Sequence, residues 1–301
     1  MHSNRTTAGL LLALLGVLGF SFSLPWTVWA LESFDPVLTA TGRALIAGAV
    51  AAIILFIRRV PWPDRSLLRP LLYTMAGAVF GWPILIALAL ERTTAAHAAV
   101  IAAIMPLVTA VFAVLRTGER VARQFWIAAV AGTVALSVFA LLRGGGEGGN
   151  VVADLLIVGA VLASSWCYVE GASLTKVMPG WQVISWVVVL ALPLTIPISV
   201  ILALTGGVST PVTPHAWVGM VFLGLVSVYF AFFAWYKGLS MAGVARGAQT
   251  QQVQAPLTLL WSALLLGETI TLAMVVAALA IVGCVAWAVR VRTPTVVAPE
   301  E

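Results

Sequence analysis

A run of glutamines is the most unusual polar feature of this largely apolar sequence. Gln249, Gln251, Gln252 and Gln254 fall within six residues and are followed by Pro256. An amide without hydrogen-bond partners is costly in hydrocarbon, so four of them cannot all face lipid. Two hypotheses are open: the amides bind the ammonium and carboxylate of an amino acid, or they hold neighbouring helices together. The first hypothesis selects Gln249, Gln252 and Gln254 as substrate-binding residues.

Three titratable side chains also lie inside apolar stretches. His97 is a candidate for a substrate contact or a titrating outer gate, although a bond to a neighbouring backbone carbonyl would also explain it. Arg43 would either bind a carboxylate directly, or pair with a helix C-terminus or an acid such as Glu91. Glu170 is the deepest carboxylate, yet it lies nearer the end of its stretch than a proton-coupling acid usually does. A charge or coupling role therefore rests on Arg43 and Glu170, and proton-driven and facilitative transport are equally open.

Aromatic residues are candidates for a second part of a binding site. Most of the twelve tryptophans fall at the ends of apolar stretches, as in the aromatic belt of a membrane protein. Trp82 and Trp166 lie nearer mid-stretch, Tyr229 matches Trp82 in the second half of the chain, and Trp26 follows the polar Ser21–Ser23 segment. Such rings would sandwich a planar side chain or attract an ammonium, and plain packing explains them equally well.

The sequence lacks the motifs of several enzyme classes. It has no GxxxxGK loop for a nucleotide and no HExxH motif for zinc. Its three histidines and two cysteines are too scattered for a metal site. We therefore expect a protein that is not an enzyme, with no catalytic residues, no cofactor and no metal.

The composition places all these residues in a membrane protein. Only 9% of the 301 residues are charged and 61% are hydrophobic, whereas a soluble domain carries about 25% charged residues. One span needs about 20 apolar residues. The apolar runs predict ten spans, at residues 8–30, 37–57, 68–90, 94–115, 125–142, 153–175, 181–204, 216–238, 246–266 and 270–290. Within the third span, Gly77 and Gly81 are typical of close contacts between helices.

The basic residues predict how the chain enters the membrane. With the N-terminus in the cytoplasm, thirteen of the sixteen Lys and Arg residues fall inside and only Arg92 and Arg143 fall outside, while Arg43 lies within a span. The positive-inside rule therefore predicts a multi-pass protein of a bacterial-type inner membrane with both termini cytoplasmic. Because the basic residues lie at span ends rather than in one patch, we expect no nucleic-acid partner.

The two halves of the chain resemble each other. Residues 106–121 read PLVTAVFAVLRTGERV and residues 256–270 read PLTLLWSALLLGETI, so a Pro and a Gly-Glu pair recur. The repeat is about 145–150 residues long and contains five spans, so the second copy must insert with the opposite orientation, as in many secondary transporters. The predicted parts are a first repeat at 1–143, a Gly-rich linker at 144–152, an inverted second repeat at 153–292 and a cytoplasmic tail at 293–301.

The duplicated Pro and Gly-Glu pattern, with Pro36 and Arg43 opening the second span, resembles the drug/metabolite transporter superfamily and its EamA-type ten-helix exporters. This resemblance covers the whole chain. The aromatic-rich sequence is also similar to YddG-type aromatic amino-acid exporters. That similarity implies export of Phe, Tyr and Trp, with other apolar amino acids and cationic drugs as further substrates. Trp186 stands where a second Arg43 would fall, so any role of this arginine would be one-sided.

These observations predict an all-α integral membrane protein, built from two inverted five-helix repeats, that exports aromatic amino acids and related metabolites by alternating access. The first, third, fourth, sixth, eighth and ninth spans would line its cavity. The expected partners are a small-molecule substrate and the lipid bilayer, and the fused repeats predict a monomer. The alternative is a broad exporter of cationic or aromatic drugs, which would need a carboxylate at depth such as Glu170. An intramembrane enzyme or sensor and a passive channel are further alternatives.

Overall fold

The computed structural model describes residues 2–117, 150–242 and 249–290, with isolated positions between 123 and 134. In these residues the secondary structure is helical, apart from one isolated β-bridge between Phe34 and Val208. The α-helices are α1 His2–Ser21, α2 Ser23–Leu31, α3 Pro36–Ile57, α4 Arg65–Met75, α5 Trp82–Leu90, α6 Ala95–Ala102, α7 Met105–Thr117, α8 Val151–Leu174, α9 Gly180–Leu204, α10 Pro214–Phe222, α11 Ala231–Ala242, α12 Gln254–Leu266 and α13 Leu272–Arg290.

Seven continuous helical stretches are long and apolar enough to cross a membrane, judged by length and composition. They are Thr7–Leu31, Pro36–Ile57, Arg65–Leu90, Ala95–Arg116, Val151–Leu174, Gly180–Leu204 and Pro214–Ala242. Each agrees within a few residues with a span predicted from the sequence. The predicted ninth and tenth spans overlap α12 and α13, neither of which is among these seven stretches. Most of the predicted fifth span, the first Gly-Glu pair at 118–119, the linker residues 144–149 and the tail lie outside the described residues.

Polar caps explain where several of these helices begin. The side chain of Asp35 accepts hydrogen bonds from the backbone N–H groups at the start of α3, with Pro36 in the first turn. Asn150, Thr94 and Thr213 cap α8, α6 and α10 in the same way. A side-chain oxygen at this position satisfies an N–H group that has no partner within the helix, and proline fits the first turn because it lacks an N–H.

Several of the crossing helices are interrupted near their middle. The first is broken at Phe22, and the fourth is broken between α6 and α7. The third and eighth each contain a π-helical segment, Ala76–Gly81 and Leu223–Phe230, and a 3₁₀ turn, Gln249–Val253, precedes α12. The two π-helical segments begin 147 residues apart. Irregular backbone at membrane depth is tolerated where it is buried in protein or lines a cavity.

The break in the first crossing helix has an identifiable chemical cause. Pro25 has no N–H to donate to the carbonyl of Ser21, four residues earlier. The hydroxyl of Thr258 in α12 donates to that carbonyl instead, at 2.8 Å. The indole Nε1 of Trp261 donates to Ser21 Oγ at 2.9 Å, and its ring stacks on Phe22 with centroids 4.3 Å apart. Helix α12 therefore stabilises the break in the first crossing helix.

The crossing helices pack against one another in pairs. Helices α1 and α2 pack along α11 and α10, which joins the first crossing helix to the eighth. Helix α8 packs along α4 and α5, which joins the sixth to the third. Helix α3 packs on α9, and α6 on α12. If each predicted span is replaced by its counterpart in the other half of the chain, the pairing of the first with the eighth becomes the pairing of the sixth with the third. The pairing of α3 with α9 and that of α6 with α12 stay the same.

Two loops that the charge distribution places outside are joined by hydrogen bonds. The backbone N–H of Asp35 donates to the Gly207 carbonyl at 2.8 Å, and that of Ser209 donates to the Ser33 carbonyl at 2.8 Å. The Thr213 hydroxyl donates to the carboxylate of Glu32 at 2.7 Å. These bonds tie the end of the first crossing helix to the start of the eighth.

Candidate functional site

Two small cavities lie among the buried residues of the crossing helices. Each has a volume of about 20 Å³, room for roughly one water molecule. Trp82 and Gln254 line both cavities. The first cavity is also lined by Gln251 and Thr258, and the second by Arg43, Ser23, Ser227 and Tyr168. The two cavities are therefore lined by residues of the first, second, third, fourth, sixth, eighth and ninth predicted spans.

Arg43 is the only charged residue among those that line the two cavities. Its side chain is buried, with 4% exposed. Its Nη2 donates to Ser227 Oγ at 3.2 Å, and that oxygen also bonds to the hydroxyl of Ser23. Its Nε has no hydrogen-bond partner in the described part of the chain. Pairing with Glu91 was one of the predictions and it is wrong, because Glu91 forms an exposed ion pair with Arg92.

The glutamine run contributes a different set of amides from the one predicted. Gln251 is 3% exposed, and neither its Oε1 nor its Nε2 has a hydrogen-bond partner among the described residues. Gln254 lines both cavities, as expected of a substrate-binding residue. Gln252 is partly buried but lines neither cavity, and the side chain of Gln249 lies outside the described part of the chain.

Of the four predicted aromatic residues, only Trp82 lies at the cavities. Trp166 contacts Tyr73 and Phe112 instead, with ring centroids 6.5 and 5.6 Å apart. Its neighbour Tyr168, two residues along α8, lines the second cavity.

Tyr229 and Trp26 also point elsewhere. The hydroxyl of Tyr229 is 2.8 Å from Ser185 Oγ on α9. The ring of Trp26 stacks on Phe222 of α10, with centroids 4.5 Å apart. Both side chains contact a neighbouring helix, and neither lines either of the two central cavities.

His97 lies near the predicted outer face and forms a polar contact between two spans. Its ring Nε2 is 2.7 Å from Oδ1 of Asp154, which lies in the first turn of α8. The imidazole is 1% exposed and the carboxylate 15%. The structure thus supplies a carboxylate where the sequence suggested a backbone carbonyl. His97 lines neither cavity, and its role as an outer gate stays a prediction.

The second Gly-Glu pair also links two spans at the predicted outer face. Gly267 ends α12 with φ +65°, a conformation that favours glycine. The turn lets the carboxylate of Glu268 accept hydrogen bonds from the N–H groups of Ala95 and Ala96, at 2.9 and 2.7 Å. These N–H groups open α6, where a negative charge is favourable. Glu268 therefore caps a helix of the other half of the chain.

Glu170 is paired with a cation rather than directed at the cavities. Its Oε1 accepts a hydrogen bond from Arg116 Nε at 2.9 Å, and the glutamate is 3% exposed while the arginine is 55% exposed. The predicted drug exporter depended on a carboxylate at depth that a cationic substrate could use. This carboxylate is bonded to Arg116 and lines neither cavity, and the drug-export alternative stays a prediction.

Comparison with known proteins identifies the family. The EamA-like transporter family matches the chain twice, over residues 7–141 and again over residues 151–290. The chain belongs to this family. As an EamA-like protein it is a multi-pass membrane transporter, which confirms the family predicted from the Pro and Gly-Glu patterns.

Two known proteins are similar to this EamA-like chain over nearly its whole length. The uncharacterized transporter YdeK of Bacillus subtilis (strain 168) is 38% identical over 295 residues, which cover 95% of this chain and 99% of YdeK. A protein of known crystal structure is 22% identical and has the same fold, with a TM-score of 0.67 over 94% of this chain and 98% of its own.

Several lining residues of this EamA-like chain were not predicted from its sequence, among them Tyr168, Ser227 and Gln251. Tyr168 and Ser227 lie two residues from the chosen Trp166 and Tyr229, and Gln251 is adjacent to the chosen Gln252. The polar stretches that contain them were visible in the sequence. The signal that was missing is the face of the helix, which depends on packing. In the described residues no group of three or more His, Cys, Asp or Glu side chains is placed to hold a metal ion.

Proposed function

We propose that this EamA-like protein exports amino acids, above all Phe, Tyr and Trp, and related metabolites by alternating access. The observation that carries the proposal is the pair of buried polar groups at the two cavities. The amide of Gln251 has no partner and Arg43 has no acidic partner among the described residues. Buried polar groups are normally satisfied, so these are suited to a ligand that satisfies them.

The arrangement fits the three chemical parts of an aromatic amino acid. The guanidinium of Arg43 would bind the carboxylate, since arginine presents paired N–H donors that match its oxygens. The amide oxygens of Gln251 and Gln254 would accept from the ammonium. The rings of Trp82 and Tyr168 would pack on the substrate ring and attract the ammonium over their faces. A zwitterion would thereby satisfy the site while adding no net charge to it.

Alternating access is supported by the size of the cavities. Ligand pockets measure about 300–1,000 Å³, whereas each cavity here has about 20 Å³. Binding an amino acid therefore requires the lining helices to separate. The pair formed by the first and eighth crossing helices would move against the pair formed by the third and sixth. The helices would bend at the break at Phe22 and at the two π-helical segments as these pairs move.

We further propose ten spans in two inverted repeats, at 1–143 and 153–292, with both termini on the cytoplasmic side of an inner membrane. The 147-residue separation of the π-helical segments, the mirrored helix pairing and the two family matches support the repeat. Because both halves are on one chain, the working unit would be a monomer. No cofactor is part of this proposal.

The inverted orientation can be tested by chemical labelling. In a variant that lacks Cys167 and Cys284, we would introduce single cysteines by Arg120→Cys and Thr269→Cys. A membrane-impermeant maleimide should label position 269 in intact cells and position 120 only after the membrane is opened. Labelling of both positions from the same side would contradict the inverted repeat.

Transport by purified protein in liposomes tests the function itself. Saturable flux of Trp or Phe is expected for the natural chain, and no saturable amino-acid flux would reject the proposal. Gln251→Ala should lower that flux about tenfold, because hydrogen bonds to a charged group contribute roughly 1.5–3 kcal/mol. The matched control is Gln182→Ala, a partly buried glutamine in the first turn of α9 that lines neither cavity. An equal loss in both variants would contradict a specific role for Gln251.

A further inference from the structure

A large groove on the surface of the helix bundle is separate from the two central cavities. Its volume is about 750 Å³, and none of its lining residues lines either cavity. The groove runs between the first, second, seventh and eighth predicted spans. Much of its lining is apolar: Leu12, Ile54, Ile57, Phe230 and Phe233. Phe230 is 47% exposed, so this face of the bundle is open to the surroundings.

Two basic residues lie at one end of this groove. Arg58 directly follows the last residue of α3, and Lys237 lies in the second half of α11. Both are exposed, and neither forms an ion pair with any residue in the described ranges. Thr175 and Ser240 also line the groove. One end of the groove is therefore cationic and the remainder is apolar.

We propose that this groove binds one anionic phospholipid of the cytoplasmic leaflet. The phosphate would lie against Arg58 and Lys237, and an acyl chain would extend along Ile57, Ile54 and Phe230. Basic pockets between helices on the cytoplasmic side are suited to anionic headgroups. The positive-inside distribution of this sequence places both cations on that side.

The position of the groove argues for a lipid rather than a transported substrate. Ser23 of the first crossing helix and Ser227 of the eighth line the second cavity. The groove is lined by other residues of the same two helices, Leu12, Phe230 and Lys237, and of these Phe230 and Lys237 are exposed. A molecule bound there would contact the bilayer side of the bundle. A bound lipid would hold together the helix pair that the proposed transport cycle moves as a unit.

Lipid retention by the purified full-length protein tests this inference. The protein would be exchanged into micelles containing equal amounts of phosphatidylglycerol and phosphatidylcholine, and bound lipid would be measured by native mass spectrometry. We expect retention of one phosphatidylglycerol in preference to phosphatidylcholine. The double variant Arg58→Gln, Lys237→Gln should lower this retention at least tenfold, since each cation contributes about 1 kcal/mol, roughly fivefold, near an anionic surface.

A matched control separates the groove from net charge. Arg65→Gln with Lys176→Gln removes the same charge from exposed cations that do not line the groove, and it should leave retention unchanged. Equal loss in the control, or equal retention of the two lipids by the natural chain, would overturn the proposal. If the first double variant does not fold, Ala234→Trp offers a second test, because it fills the groove without changing charge. Unchanged preference for phosphatidylglycerol in that variant would also overturn it.

Discussion

Replacing Arg43 by glutamine is expected to lower amino-acid flux by roughly ten- to a hundredfold while the protein stays folded. The guanidinium is 4% exposed and its only described side-chain partner is Ser227. If a substrate carboxylate is its missing partner, the loss of that bond costs about 1.5–3 kcal/mol, and each 1.4 kcal/mol is a factor of ten. Liposome flux measured with Trp or Phe checks the expectation, and a thermal unfolding profile checks the fold.

Two further variants separate binding from structure at this position. Arg43→Lys keeps the charge but not the paired donors, and should retain more flux than Arg43→Gln. Arg92→Gln removes an exposed arginine whose partner is its neighbour Glu91, and should change neither flux nor stability measurably. Normal flux in Arg43→Gln together with reduced thermal stability would show that Arg43 serves packing alone.

Replacing Gly77 by valine is expected to destabilise the bundle by about 1–3 kcal/mol or more, the usual range for overpacking. A Cβ at this position would lie 2.3 Å from the carbonyl oxygen of Ala163 and 2.6 Å from Cβ of Cys167. Both neighbours belong to α8, and one of them is backbone, so the side chain cannot be accommodated without moving a helix. The Tm in detergent should fall by roughly 5 °C.

The matched control for this substitution is Gly283→Val in α13. No atom lies within 4 Å of a Cβ built at Gly283, which is exposed. The same valine should therefore leave the Tm nearly unchanged there. A Tm of Gly77→Val that equals that of the natural chain would show that the third and sixth crossing helices are not in close contact.

The positions of the crossing helices could be predicted because they follow from length and polarity alone. A span needs about 20 apolar residues, and the caps and prolines at its ends are visible as residue types. Close contact at Gly77 was predictable for a similar reason, since small residues four apart share one face. The π-helical segments gave no clear signal, because their hydrogen-bond pattern depends on neighbouring helices rather than on any one residue type.

The lining of the site was predicted at the right depth and often on the wrong face. Successive helical residues are rotated by about 100°. Trp166 and Tyr168 are thus at nearly the same depth, yet a rotation of about 200° places them on nearly opposite faces of the helix. Only Tyr168 lines the cavity. For the same reason Gln252 was selected from the sequence, whereas its neighbour Gln251 lines the cavity. Trp82, Gln254 and Arg43 were identified from residue type and depth, but their convergence depends on which helices pack together.

The two hydrogen bonds between the Glu268 carboxylate and the start of α6 affect the speed of transport. Both carboxylate oxygens are occupied, and opening the predicted outer face between α6 and α12 must break both bonds. Water would then replace them, yet each hydrogen bond to a charged group still contributes about 1.5–3 kcal/mol relative to water. The rupture itself comes before the replacement, when neither the carboxylate nor the helix terminus is solvated. We therefore expect this contact to slow the opening of this face and to shift the populations toward the form in which the face is closed.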